Sequence, residues 1–425
     1  MTTALTDAPT TAPTLADPPH WTGPSTQILG ALKRMSPARA GRPAVPILAG
    51  VVLDVTPTGG LTIHAWNYET AVSTRVHTDD DTLHTPGRCV VHARDLERLI
   101  RAVTTATGEK NPTITLDGAS RPGWLQVSAS GYSVSLRTMP LEEYPDSPTF
   151  APTLGDPLGA KVLGVDFASA LAFTTIAADA TDCAPAILAA VSINVIPGAF
   201  TLYATDRYRL TTATAPATLH PTWMAADPLL IPRQVASALV RYLGPGEWSI
   251  THILPTGNGT ALLHVTDGET VIVTSLIDGT YPKVSTLLDQ AKGSPRVITV
   301  DRLKLAAAAR FANAITDRRA YARMTVGVNG VTCTLANDDP DEPTTTAPPA
   351  PATRIEAWTE PDEAVIGFNP EFLLAALAGF TGPTVALRFA AGVAEIRPML
   401  MASTVADLDD PRARRHLLMP VRLAK

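Results

Sequence analysis

Cysteine is scarce in this chain: three in 425 residues, at Cys89, Cys183 and Cys333. They lie far apart and no two form a CxxC. That removes both a disulfide framework and a paired-cysteine zinc site, and reduced thiols in a cytoplasmic protein are expected. Aromatic residues make up only 5% of the chain, so Val, Leu, Ile and Ala must fill the cores. No stretch approaches the roughly 18 uncharged apolar residues of a membrane span. The opening MTTALTDAPTTAPTLADPPHW lacks a basic region leading into an apolar one, so it does not read as a secretory signal. Its Thr, Ala and Pro content predicts a disordered extension over residues 1–22. HExxH, GxSxG, a phosphate-loop lysine and paired-Cys spacing are all missing, so no catalytic residue, metal or cofactor is assigned.

What the chain does have is repetition. PILAGVVLDVTPTGGLTIHAWNYETAVSTRV runs from Pro46 to Val76, and PAILAAVSINVIPGAFTLYATDRYRLTTAT from Pro185 to Thr214. Each is an alternating apolar run, a turn with Pro and Gly, a second run, then a polar stretch with Tyr and Arg. Downstream landmarks keep register: HARDLERLIRAV begins at His92 and IPRQVASALVRYLG at Ile231, an offset of 139. EEYP ends at Pro145 and DGTYP at Pro282, an offset of 137, and FNPEFLLAALAGF begins another 137 beyond Ile231. A chain that repeats a unit repeats a fold, and this period is far too long for a solenoid. Three domains of about 130 residues follow.

The expected boundaries are 23–155, 160–290 and 295–425, with a Pro- and acid-rich insertion at 337–353 and a linker around Lys292-Gly293-Ser294-Pro295. Helical spacing marks Ile28, Leu29, Leu32 and Met35, and again Leu96, Leu99, Ile100 and Val103. Val51, Leu53 and Val55, then Leu61, Ile63 and Ala65, alternate as a hairpin. Each domain thus reads as α+β, two helices packed on antiparallel sheets. The net charge of −6 argues against a generic nucleic-acid binder, but its distribution matters more. The six predicted helical segments carry a net +6, leaving −12 for everything else. Such a partition suits a protein with one surface facing a polyanion.

The motifs RPAVPILAGVVL, ATDRYRL, SLIDGTYPKV, GFNPEFLLAAL and LLMPVRL, in that order and spacing, resemble the bacterial DNA polymerase III β subunit, the sliding clamp. The resemblance covers residues 25–423 and implies the DNA-clamp fold, a head-to-tail homodimer closing into a ring around duplex DNA. It also implies a peptide pocket where the polymerase catalytic subunit, the clamp loader and other proteins with clamp-binding motifs dock. Carried over by motif, the pocket wall comprises Leu188, Thr205, Arg207, Tyr208, Arg209, Leu210, Pro282 and Leu287, then Tyr321, Asn369, Phe372, Met419, Pro420, Val421 and Arg422. Apolar walls with a few polar groups suit a groove for Leu or aromatic anchors. Lys33, Arg34, Arg42, Arg98, Arg101, Arg241 and Arg310 are the expected phosphate contacts, sequence-independent as sliding requires. Ile315, in FANAITDRRAY, matches the family's dimer-interface segment.

The chain departs from the family in places. Its Pro-rich start hides the opening strand, and Asp182-Cys183-Ala184-Pro185 stands where an Arg commonly precedes the Pro. These departures admit a second reading, a diverged second clamp resistant to a pocket-binding antibiotic. A reading of another class, a metal-dependent nucleic-acid-processing enzyme, has only Asp79-Asp80-Asp81 between His77 and His84, which a solvated acidic turn explains better. Tyr208 and Tyr321 fit either a core or a pocket wall. Asp206 fits a turn better than a catalytic acid.

Overall fold

The computed structural model describes residues 18–39, 43–56, 60–78, 84–145, 159–181, 183–221, 223, 228–254, 259–294, 296–315, 321–327, 330–335, 352–356, 364–390 and 397–421. The chain divides into two compact units, one of residues 1–153 with 262–275, the other of 154–261 with 276–425. No described helix is long and apolar enough to cross a membrane.

In the first unit the strands run, in spatial order, His20–Pro24, Thr113–Asp117, Trp124–Ala129, Tyr132–Met139, Gly87–His92, Gly50–Val55, Leu61–Trp66, Thr70–Val76, Thr270–Ser275 and Leu262–Thr266. The alternation that predicts a hairpin is also the burial pattern, with Leu61, Ile63 and Ala65 inward. Helices α1 (Ser25–Arg34) and α2 (Ala93–Thr107) pack on each other and on these strands. α2 buries Leu96, Ile100 and Val103 along one stripe. It stops at Gly108, whose φ of 73° suits a residue without a Cβ and whose N–H donates to the Thr105 carbonyl at 3.3 Å.

The extension expected over 1–22 ends sooner than its proline content implies. His20–Pro24 pairs antiparallel with Thr113–Asp117 and buries Trp21 completely. It is the outermost strand, where a proline's missing N–H removes no ladder bond. At the opposite side of this unit, Thr70–Val76 pairs with a segment from far along the chain. The hydroxyls of Thr70 and Thr274 lie 3.1 Å apart across 204 residues of sequence. Thr74 Oγ1 donates to Thr270 Oγ1 at 3.3 Å, and all four threonines are buried.

The second unit holds an antiparallel run in the order Leu229–Pro232, Ala190–Ile196, Ala199–Thr205, Arg209–Pro216, Arg415–Leu418, Met399–Ala402, Thr384–Phe389, Arg296–Asp301 and Ala352–Glu356. Gly330–Leu335, Ala322–Gly327 and Ala364–Phe368 form a three-stranded sheet, and Gly159–Leu163 pairs with Glu247–Ile253 and with Thr218–Leu219. Five helices complete it: α3 (Gly164–Thr174), α4 (Arg233–Tyr242), α5 (Val284–Lys292), α6 (Arg302–Ile315) and α7 (Pro370–Ala378). α3 packs on α4 and α6 on α7, repeating the α1–α2 pair. α5 is additional, in a stretch for which the sequence reading names no helix and which ends in the expected linker. It lies over the strands Met399–Ala402 and Thr384–Phe389.

Burial also disposes of several reactive groups. The thiols of Cys89 and Cys333 are pushed up to about 12 by burial, so neither is a ready nucleophile. Burial, then the nearby Arg209 charge, pushes His416 down to about 3; its ring meets Phe173 edge-on at 6.4 Å. Among the described residues no three His, Cys, Asp or Glu gather as a metal site, and Asp79-Asp80-Asp81 lies outside them.

Candidate functional site

One turn is built three times in this protein. At Asn67–Thr70, the Asn67 side-chain oxygen accepts from the N–H groups of Glu69 at 3.1 Å and Thr70 at 2.7 Å. At Asp206–Arg209, Asp206 Oδ1 accepts from Tyr208 at 3.0 Å and Arg209 at 2.7 Å. At Asp267–Thr270, Asp267 accepts from Glu269 at 3.0 Å and Thr270 at 2.7 Å. The residue after the Asx is left-handed each time: Tyr68 at φ 72°, Arg207 at φ 76° and Gly268 at φ 94°. An Asx acceptor at the first position lets a four-residue turn close without a longer loop.

The second of these turns organises the candidate groove. Thr205 Oγ1 accepts from the Arg207 N–H at 3.1 Å and donates to the Arg209 carbonyl at 2.6 Å, closing the turn from beneath. The Asp206 carboxylate also takes the Arg209 guanidinium, Nε at 2.8 Å and Nη2 at 2.7 Å, with both side chains largely buried. Held this way, Arg209 lays its guanidinium over the Phe372 ring at 4.2 Å. Tyr208 reaches the same ring with centroids 6.2 Å apart, while remaining 58% exposed. It is therefore no core aromatic. Arg207 points outward as an exposed residue.

Two other segments meet this turn. The N–H of Met419 donates to the Tyr208 carbonyl at 2.8 Å, and Val421 donates to Gly367 at 2.8 Å, tying the end of the described chain to the base of α7. Asn369 caps α7, its Oδ1 accepting from the Glu371 N–H at 2.9 Å, with Pro370 following in the first turn. Ala322 pairs with Phe368, so Tyr321 stands one backbone step from Asn369. Pro282 is exposed ahead of α5.

The floor is a cluster of buried Ala190, Leu210, Leu230, Tyr281, Val284, Leu288, Leu400 and Leu417, with Ile187, Tyr203, Leu287 and Met419 packed on it. Leu210, Leu287 and Met419 thus share one cluster. Leu188 is buried and is not among the residues of this cluster, whereas its neighbour Ile187 packs on it. Gly279 makes that possible, because a Cβ there would come within 2.9 Å of Ile187 Cγ2. Pro420 is half-buried beside Met419, and Arg422 lies outside the described residues.

The expected phosphate contacts are more varied than the sequence suggests. Lys33, Arg98, Arg101, Arg241 and Arg310 are exposed on their helices, and Arg34 lies 3.5 Å from the Thr270 hydroxyl. On α2, Arg98 pairs with Asp95 at 2.9 Å and Arg101 with Glu97 at 2.9 Å. Exposed pairs of this kind contribute about 0.3–0.5 kcal/mol and yield readily to a phosphate. Arg42 lies outside the described residues, as does the side chain of Ile315 at the end of α6.

Residues 24–148 match the family described as DNA polymerase III beta subunit, N-terminal domain. The chain is 31% identical over 303 residues to the beta sliding clamp of Micrococcus luteus, covering 70% of this chain and 88% of that protein. Identity to the beta sliding clamp of Streptomyces coelicolor is 28% over 389 residues, covering 90% and 94%. The beta sliding clamp homolog GriR of Streptomyces muensis is 25% identical over 388 residues, covering 90% and 94%. Among solved structures, a Pseudomonas aeruginosa sliding clamp bound to griselimycin shares the fold, with a TM-score of 0.77 at 19% identity, covering 96% of this chain and 100% of that one.

Proposed function

This chain belongs to the beta sliding clamp family, the β subunit of bacterial DNA polymerase III, and on that premise we propose that it is a processivity factor rather than an enzyme. Two copies join head to tail into a ring around duplex DNA, in the cytoplasm at the nucleoid. Each copy contributes three domains, 23–155, 160–290 and 295–425. Persistence on DNA then comes from topology, because a closed ring leaves only by opening. Contacts to phosphate stay weak and blind to sequence.

The groove around Asp206 is the observation that carries this reading. Tyr208 and Arg209 meet the Phe372 ring, and Met419, bonded to the Tyr208 carbonyl, packs on the apolar cluster that holds Leu210. Such a groove takes the Leu or Phe anchors of a short linear motif, and polar groups at the rim fix its direction. The polymerase catalytic subunit, the clamp loader and other motif-bearing proteins are the partners it suits. Calorimetry with a short peptide carrying Gln and spaced Leu or Phe tests this. Micromolar binding, about −8 kcal/mol, is expected, weakened about tenfold by Met419→Ala. Equal affinity in both proteins would place the peptide site elsewhere.

A second reading within the family is a diverged copy that tolerates a pocket-binding antibiotic. The Asp182-Cys183-Ala184-Pro185 stretch, where an Arg commonly precedes the Pro, and the insertion at 337–353 favour it. Replacing a host's chromosomal clamp with this one, with and without a pocket-directed inhibitor, separates the two. Growth that remains inhibitor-sensitive returns the choice to the main replicative clamp.

A further inference from the structure

Two of the three repeated turns place a large side chain in the left-handed backbone region, at Tyr68 and Arg207, where the third uses Gly268. Glycine reaches that conformation without strain, so a bulky residue there points to a use for its side chain. Arg207 borders the groove of the second unit. Tyr68 has no such assignment, yet it is 55% exposed and its ring stands 5.0 Å from that of Trp66.

The ground beneath this pair is apolar and ordered. The Trp66 N–H donates to Tyr144 Oη at 2.9 Å. Tyr144, Met139 and Leu141 in turn pack on buried Ile47, Leu48, Val52 and Val90. Ile47 and Leu48 are the repeat counterparts of Ile187 and Leu188 at an offset of 140, and Tyr144 is the counterpart of Tyr281 at 137. The first unit therefore holds counterparts of Ile187 and Tyr281 in an apolar cluster of its own, joined through Tyr144 to half-buried Trp66, with exposed Tyr68 against that ring.

The rims differ in sign. Glu69, Glu142 and Glu143 are exposed around the first, and none pairs with a cation among the described residues. The second carries Arg207 and Arg209. We propose that Trp66, Tyr68, Leu141 and Tyr144 form a second docking groove, for a short protein segment joining a Leu or Phe anchor to Lys or Arg. Segments 1–17 and 336–351 of this chain hold Asp and Glu but no Lys or Arg, so neither suits this rim, and the occupant proposed is a basic segment of another protein. The assignment is independent of what the second-unit groove binds.

A fluorescein-labelled Lys-Arg-Leu-Phe-Arg-Lys peptide, titrated by anisotropy against the full chain, tests it. Tyr68→Gly removes the ring but leaves the turn in a conformation glycine prefers, so its melting temperature should hold or rise. Its affinity should fall about tenfold. Glu142→Gln with Glu143→Gln should weaken binding and flatten its salt dependence. A peptide with Glu in place of every Lys and Arg should bind about tenfold more weakly. Met419→Ala, which weakens the other groove, should leave this peptide's affinity unchanged. Affinity untouched by Tyr68→Gly, equal binding of the acidic peptide, or loss of binding in Met419→Ala would each overturn the proposal. The last would assign the peptide to the second-unit groove instead.

Discussion

Asp206 holds its turn through one carboxylate that accepts two backbone N–H groups and a guanidinium. With the residue only 6% exposed, Asp206→Ala leaves two amides and a largely buried cation without their acceptor. A loss of about 3 kcal/mol is expected from urea unfolding. Peptide affinity should fall as well, because Arg209 and Tyr208 lose the geometry that sets them on Phe372. Asp206→Asn preserves the amide contacts and forfeits only the ion pair, so it should lie between the two. His416 gives a different kind of test. Its imidazole is neutral in the fold, held down to about 3 chiefly by burial, whereas an unfolded chain protonates near pH 6.5. Its contribution is intact above that pH. As pH falls below about 6.5 the unfolded state gains a proton the fold refuses, and stability drops by up to about 1.4 kcal/mol per unit. His416→Leu should show a smaller difference in urea midpoint between pH 7.5 and 5.5 than the unaltered protein. An unchanged difference would remove His416 as the cause.

Most helices could be read from the sequence because their apolar residues recur at helical spacing with few competing signals. α2 is the clearest instance, since Leu96, Ile100 and Val103 are the residues it buries. α5 shows the same spacing in Val284, Leu288 and Ala291, but it follows directly on Tyr281-Pro282, which reads as a loop. α5 lies over the groove's floor, and of its residues the motif supplies only Leu287. Leu288→Ala should cost about 3 kcal/mol by thermal or urea unfolding, and should weaken peptide binding without touching any rim residue. The strand His20–Pro24 escaped detection for a different reason. Proline weighs against a strand unless the strand is known to lie at an edge, and edge position is a property of the assembled sheet. Of the residues expected by motif, Leu210, Leu287 and Met419 fall on the apolar cluster, yet motif alone does not tell Ile187 from Leu188. Neighbouring residues at the entry to a strand exchange faces with a one-residue shift.

For the whole molecule the expected assembly is a dimer of twice 44.8 kDa. Ile315→Asp would bury an unpaired carboxylate in that contact and cost several kcal/mol, enough to leave a monomer by light scattering. An Ile315→Asp protein that still elutes as a dimer would remove this residue from the interface. On DNA, replacing Arg98, Arg241 and Arg310 with Gln should weaken binding to every sequence alike and lower the salt slope by about three. Selective loss on one sequence would point to base readout and against sliding. Retention on circular but not linear DNA would complete the picture.

The buried threonines joining Thr70–Val76 to Thr270–Ser275 fix an order of events during synthesis. A nascent chain that has emerged as far as residue 153 still lacks the segment that completes its first unit. At about 10 residues per second that segment arrives on the order of ten seconds later. Until then Thr70–Val76 is an open edge, able to pair with any extended chain nearby. A ribosome-stalled or recombinant 1–153 fragment should therefore be prone to self-association, and a peptide spanning Leu262–Ser275 added in trans should suppress it.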